Sequence, residues 1–178
     1  MRFRPASLGD ADAIAALHAD SWRRHYRGAF SDAFLDGDIQ ADRLIVWTER
    51  LREPARRGLT IVAESGDGVI GFAHTVFEAD PHWGALLDNL HVVTREKSQG
   101  IGSRLLGVTA EAVLERGTGL YLWVLEQNVD ARAFYEARGG TRVERAAVPA
   151  PGGVASRLSG LPFGLRYAWP DPALAIRR

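Results

Sequence analysis

Apolar and polar positions divide this chain into short strands and amphipathic helices. Arg2-Phe3-Arg4-Pro5 reads as a first strand stopped by proline, and Ser7 or Asp10 can cap the helix that follows. Ile14, Leu17, His18, Ser21 and Trp22 recur on one helical face, and that helix is expected to end near Tyr26-Arg27-Gly28. Leu44, Trp47, Thr48 and Leu51 mark a second amphipathic helix closed by Arg52-Glu53-Pro54. Residues 60–65 (TIVAES) and 69–77 (VIGFAHTVF) read as strands joined by a three-residue hairpin loop, Gly66-Asp67-Gly68. Pro81-His82-Trp83-Gly84 turns into a central apolar strand, LLDNLHVV, followed by a polar turn, TREKSQ. Gly100-Ile101-Gly102 opens a third helix with Ile101, Leu105, Val108, Thr109, Ala112 and Val113 on one face, ended by Gly117. Gly107 inside it costs about 1 kcal/mol relative to Ala, so close packing against the sheet is its expected reason.

Residues 120–125 (LYLWVL) form the next strand, and Asn128 caps a short helix that carries Tyr135 and stops at Gly139-Gly140. Residues 141–148 alternate as a sixth strand. A Pro- and Gly-rich loop, 149–160, is expected to be mobile, a last strand runs over 163–169, and PDPALAIRR is expected to be a loose tail. There is no internal repeat, low-complexity tract or linker, so residues 1–178 are expected to form a single domain.

Composition changes this picture little and removes several function classes. The 178 residues are 46% apolar and 25% charged, ordinary values for a chain with a sizeable core. Lys+Arg and Asp+Glu stand at 22 each, so no overall field favours nucleic acid or an anionic membrane. With no cysteine, disulfides, thiolate metal sites and a Cys nucleophile are excluded. The N-terminus lacks the apolar core of a signal peptide and no run approaches a membrane span; the expected location is cytoplasmic. The five histidines, at 18, 25, 74, 82 and 91, hold no His-x-x-x-His pair, so no metal is expected, and no Gly-x-Ser-x-Gly elbow is present.

The chemistry concentrates at the glycine turn. A strand feeding a glycine-rich turn at a helix N-terminus aims unpaired backbone N–H groups and the positive end of the helix dipole at one point, which suits a phosphate. The turn has neither the third glycine of a dinucleotide fingerprint nor the Gly-Lys-Ser/Thr of a P-loop. Lys97-Ser98-Gln99-Gly100-Ile101-Gly102 resembles instead the Arg/Gln-x-x-Gly-x-Gly/Ala turn of the GCN5-related N-acetyltransferase family, with Lys97 where the family usually has Arg or Gln. Asn128 followed seven residues later by Tyr135, on a short helix before Gly, resembles the family's second signature.

The resemblance covers essentially the whole chain. It implies an α/β fold with a mixed, mostly antiparallel central sheet of about seven strands and helices on both faces. It also implies acetyl-CoA as cofactor, with the pyrophosphate on the backbone N–H groups of Gln99, Gly100, Ile101, Gly102 and Ser103, Lys97 supplying a cation for a phosphate and Ser98 belonging to the same cofactor-binding turn. The pantetheine arm would run along Leu90, His91 and Val92, with Asn128 reaching it from the other side. The implied reaction is direct attack of a small-molecule or peptide amine on the thioester, with Tyr135 as general acid to the thiolate. The Glu that family members often use as base has matching positions at Leu86 and Trp123, which cannot serve. Asp88, on the same face as Leu86 by alternation, replaces it, with Glu126, His74 or a water chain as alternatives. Tyr26 and Phe30 are the candidates for an acceptor pocket. A catalytically idle acyl-CoA-binding domain on the same fold is the competing reading, and a homodimer is a plausible assembly.

Overall fold

The computed structural model describes residues 1–52, 58–66, 68–96 and 99–176. Strands β1 (Arg2–Pro5), β2 (Gly58–Ser65), β3 (Gly68–Asp80), β4 (Gly84–Val92), β5 (Leu120–Leu125), β6 (Thr141–Ala147) and β7 (Phe163–Trp169) form a single sheet in the order β1-β2-β3-β4-β5-β7-β6. Only β4 and β5 run parallel; the other neighbours are antiparallel. The helices are α1 (Ala11–His25), α2 (Asp32–Asp36), α3 (Ile39–Arg52), α4 (Ile101–Leu114), α5 (Val129–Glu136) and α6 (Ala173–Ile176). This is the mixed α/β sheet that the resemblance implies.

Amphipathic faces decide which helix covers which side. Ile101, Leu105, Leu106 and Val113 of α4 pack on Ile61, Ala73, Leu87 and Leu122, together with Tyr135 of α5 and Ala175 of α6. On the opposite face Ile14 and Leu17 of α1 and Trp47 and Leu51 of α3 pack on Val62 and Phe72. Neither candidate caps α1 with its side chain; instead the two close the 3-10 turn Leu8–Asp10 that leads into it, the Asp10 carboxylate accepting from the Ser7 amide at 2.7 Å and the Ser7 hydroxyl at 3.0 Å and pairing with Arg4 at 2.8 Å. The hydrogen bonds from Arg4 outweigh desolvation, which acts the other way, and hold the Asp10 carboxyl down at about 2.

Several expectations are corrected by long-range contacts. The 149–160 loop is tied down: Ser31 N donates to Arg157 O and Ser159 N to Ala29 O, both at 2.9 Å, and Arg157 pairs with Asp42 at 3.0 Å. The loop thus satisfies backbone groups of the turn after α1. The tail is docked, because α6 buries Ala175 in the α4 core and sets Leu174 against Gly139. Gly68 belongs to β3, opposite Ser65, so it is not a loop residue.

Close packing between α4 and the sheet depends on Gly71 of β3, where a Cβ would lie 3.3 Å from Ile101 and from Leu105. Gly107 is different: it is buried, yet a Cβ there would meet nothing within 4 Å. Gly107→Ala should therefore stabilise the protein by about 0.5–1 kcal/mol, a rise of about 1–4 °C in Tm. A fall in Tm on thermal melting would show that the glycine serves packing after all.

Candidate active site

The parallel pair β4–β5 is joined only at Ala85↔Leu120 and Leu86↔Tyr121. Beyond these pairs a cleft of about 500 Å³ opens between the strands, lined by residues 87–92 on one side and 122–124 on the other. On its other edge β4 carries a bulge: His74 of β3 pairs with Asn89 and Thr75 with Leu87, so Asp88 has no partner across that ladder. The bulge puts two consecutive side chains on the α3 side. Arg50 donates to Asn89 Oδ1 at 3.0 Å and pairs with Asp88 Oδ2 at 2.9 Å. Leu90 and Val92 then face the α4 core, while His91 faces Phe72 and His18.

At one end of the cleft stands the N-terminus of α4. Gly100 has φ of 78°, a left-handed conformation that only glycine adopts without strain, and its carbonyl accepts the first helical bond, from Arg104 N at 2.9 Å. The preceding chain therefore turns sharply and leaves the first N–H groups of α4 without an intrahelical acceptor. Gly102 lets the Phe134 ring approach: a Cβ would lie 3.4 Å from it. Ser103 accepts a 2.9 Å hydrogen bond from Arg138 Nε, and Arg138 lies over Phe134. Gly100, Ile101, Gly102 and Ser103 line the cleft, whereas Gln99 turns its amide to Glu96 at 2.7 Å. Lys97 and Ser98 lie outside the described residues.

The opposite wall comes from α5. Asn128 Oδ1 accepts from Ala131 N at 3.3 Å, so the cap is made, and the same residue lines the cleft. One face of α5 brings Tyr135 in beside Phe134, Tyr167 and Trp169, at ring separations of 5.2, 6.3 and 6.1 Å. Tyr135 is 8% exposed, and burial pushes its phenol upward, which keeps the proton on the oxygen at neutral pH. Tyr26, just past α1, stacks on Trp22 at 5.3 Å and also lines the cleft. Burial, then the charge of Asp88, push its phenol up to about 12. Phe30 differs from expectation: at 4% exposure it is sealed in a cluster with Trp22, Leu35 and Leu125, and does not line the cleft.

Among the alternatives for a base, Asp88 lines the cleft, but Glu126 and His74 do not. Glu126 is held by Arg145 through bonds of 2.9 and 2.8 Å, which lower its pKa. His74 shares a 2.8 Å bond with Thr60, and burial, with Arg50, holds it at about 4. No group of three or more His, Cys, Asp or Glu among the described residues could hold a metal ion. Three lining features escaped the sequence. Ser21 Oγ and His91 Nδ1 share a hydrogen bond of 2.7 Å, Arg138 reaches the α4 turn, and Trp123 faces the opening. Arg138 lies one helical turn beyond Tyr135, a spacing that could have singled it out.

A parallel strand pair that parts beside a glycine-opened helix, with a buried phenol facing the gap, defines a class of α/β ligand-binding proteins. Within that class, this chain belongs to the acetyltransferase (GNAT) family, which residues 16–140 match. It is similar to YuaI of Bacillus subtilis, an uncharacterized N-acetyltransferase, at 28% identity over 79% of this chain and 80% of that protein. It is 32% identical to a probable N-acetyltransferase of Mycobacterium tuberculosis, Rv2775, over 78% of each chain. Among solved structures, the PaiA N-acetyltransferase of Thermoplasma acidophilum in complex with coenzyme A superposes with a TM-score of 0.74 at 19% identity, covering 94% of this chain and 98% of that one. YncA of Salmonella typhimurium, solved with its cofactor acetyl-CoA, superposes with a TM-score of 0.67 at 16% identity, covering 100% and 95%.

Proposed function

We propose that this protein is an acetyl-CoA-dependent N-acetyltransferase for the primary amine of a small molecule or peptide, and that residues 1–178 form one catalytic unit. The observation that carries the reading is the cleft between β4 and β5, with a helix N-terminus at one end and the Tyr135 phenol in its wall. The residues fit acetyl-CoA. A Cβ at Gly100 would meet nothing within 4 Å, so there is room beside the free N–H groups of α4 for a pyrophosphate. Beyond Leu86↔Tyr121 β4 parts from β5, and its edge along Leu90, His91 and Val92 lines the cleft, where main-chain groups can meet an extended amide arm. Asn128 stands across the cleft from that edge.

The bound group supplies an activated acetyl thioester. A backbone N–H on the β4 edge would polarise the thioester carbonyl as a fixed dipole. Tyr135 would give its phenolic proton to the departing sulfur and recover one from solvent, a recovery the step needs because the thiol, near ~8.5, is a stronger acid than the buried phenol. Asp88 receives the proton that an alkyl ammonium, near pKa ~10, must lose before it can attack. Arg50 orients that carboxylate by taking one of its oxygens.

An acceptor screen with acetyl-CoA, following free thiol release, tests the reading against an idle acyl-CoA-binding domain. Thiol release without dependence on any amine would remove it. Asp88→Asn should lower kcat/KM by about 10²-fold or more at pH 6.5 and by less at pH 9, where more of the amine is already neutral. An unchanged pH–rate profile would assign the proton to water.

A further inference from the structure

The acceptor end of the cleft carries a feature that acetyl transfer in general does not require. Leu86 and Tyr121 are the last paired residues of the parallel strands, so two residues further on Asp88 and Trp123 face each other across the opening. Both project on the α3 side of the sheet: Asp88 is held there by Arg50, while Leu120, Leu122 and Val124 of β5 face the α4 core. Trp123 is the one residue of β5 that is exposed, at 37%, where the other five are buried. Its ring is fixed from behind. The Arg166 guanidinium lies 4.7 Å from its centroid and also packs on Tyr121 and Trp83, and Gly164 of β7 leaves space for the ring edge.

Charge decides what such a platform accepts. Asp88 offers a carboxylate to an ammonium, with one of its oxygens already taken by Arg50, while Arg166 packs on the facing Trp123. Arg166 is matched by Glu144 at 3.2 Å and Asp80 at 3.9 Å. A single ammonium is met by the Asp88 carboxylate beside Arg50, whereas the further ammonium groups of a polycation would find Asp80 and Glu144 already paired with Arg166. One face of Trp123 already carries a guanidinium, which draws on the ring's electrons, so the other face favours a flat neutral ring over a second cation.

Resting on the acetyltransferase reading, we propose that Trp123 and Asp88 form the acceptor subsite and select an arylalkylamine: its ring stacks on Trp123 and its ammonium pairs with Asp88. The test is calorimetric titration of CoA-loaded protein with 2-phenylethylamine, hexylamine and spermidine, on the wild type and on Trp123→Leu, which keeps apolar bulk at a half-open position. The wild type should bind 2-phenylethylamine tightest. Trp123→Leu should weaken that binding by about tenfold, change hexylamine by less than about threefold, and leave CoA affinity and Tm unchanged. Equal losses for both amines, tighter binding of hexylamine or spermidine, or no amine binding at all would overturn the subsite. Ring-selective binding with no acetylated product on adding acetyl-CoA would instead overturn the transferase reading and leave the subsite standing. Faster acetylation of spermidine or a peptide would do the reverse.

Discussion

Tyr135→Phe should lower kcat by roughly 10²–10⁴-fold and leave Tm almost where it was. The substitution removes one oxygen and keeps the ring that packs against Phe134, Tyr167 and Trp169. If the phenol protonates the departing thiolate, only the step that needs the proton suffers, and CoA affinity is preserved. A purely structural hydroxyl would give the opposite pattern, about 1 kcal/mol of lost stability with near-normal turnover. The pH dependence sharpens the test. Burial raises the phenol above its ordinary value, so in the wild type the acid is fully loaded below pH 10 and its own titration lies above that. Any limb of the rate profile between pH 6 and 9 therefore belongs to the amine or its base, and should persist in Tyr135→Phe. Full activity in this variant would mean that the thiolate leaves unassisted.

The second large effect concerns cofactor binding. At about 100 times its dissociation constant, acetyl-CoA should stabilise the wild type by about 2.7 kcal/mol, or about 5–10 °C in Tm for a domain of this size. NAD and ATP should do so much less. Gly100→Glu should abolish the shift, because a carboxylate would occupy the open space beside the α4 N-terminus. The backbone at Gly100 has φ of 78°, so any side chain adds strain of about 1–2 kcal/mol. Gly100→Ala separates the two effects: it shares the strain, lacks the charge, and should keep most of the shift. Loss of the shift in both variants would make the turn's conformation, not its charge, the determinant. Equal stabilisation by NAD would sink the cofactor assignment.

Much of this site is legible in the chain itself because the signals are local. The left-handed turn at Gly100 needs glycine whatever surrounds it. The seven-residue step from Asn128 to Tyr135 spans two turns of one short helix, so a cap at its start and a ring at its end share a face. Apolar periodicity likewise places α1, α3 and α4, since each helix must bury one stripe wherever it packs.

What only the tertiary structure decides are properties of pairs distant in sequence. Alternation along β4 cannot say whether Asp88 follows Leu86 or Leu90; the bulge, set by pairing with β3, puts it with Leu86 and against Arg50. Phe30 and Tyr26 look alike as sequence, yet packing of the 149–160 loop and Leu125 buries one and leaves the other in the cleft. Trp123 reads as a missing carboxylate until the β4–β5 register sets it opposite Asp88 and β7 brings Arg166 behind it. Periodicity records which face a segment buries at fixed backbone geometry. Register, ion-pair partners and which ring is sealed are settled by the contact free energy between segments, which no single stretch of chain contains.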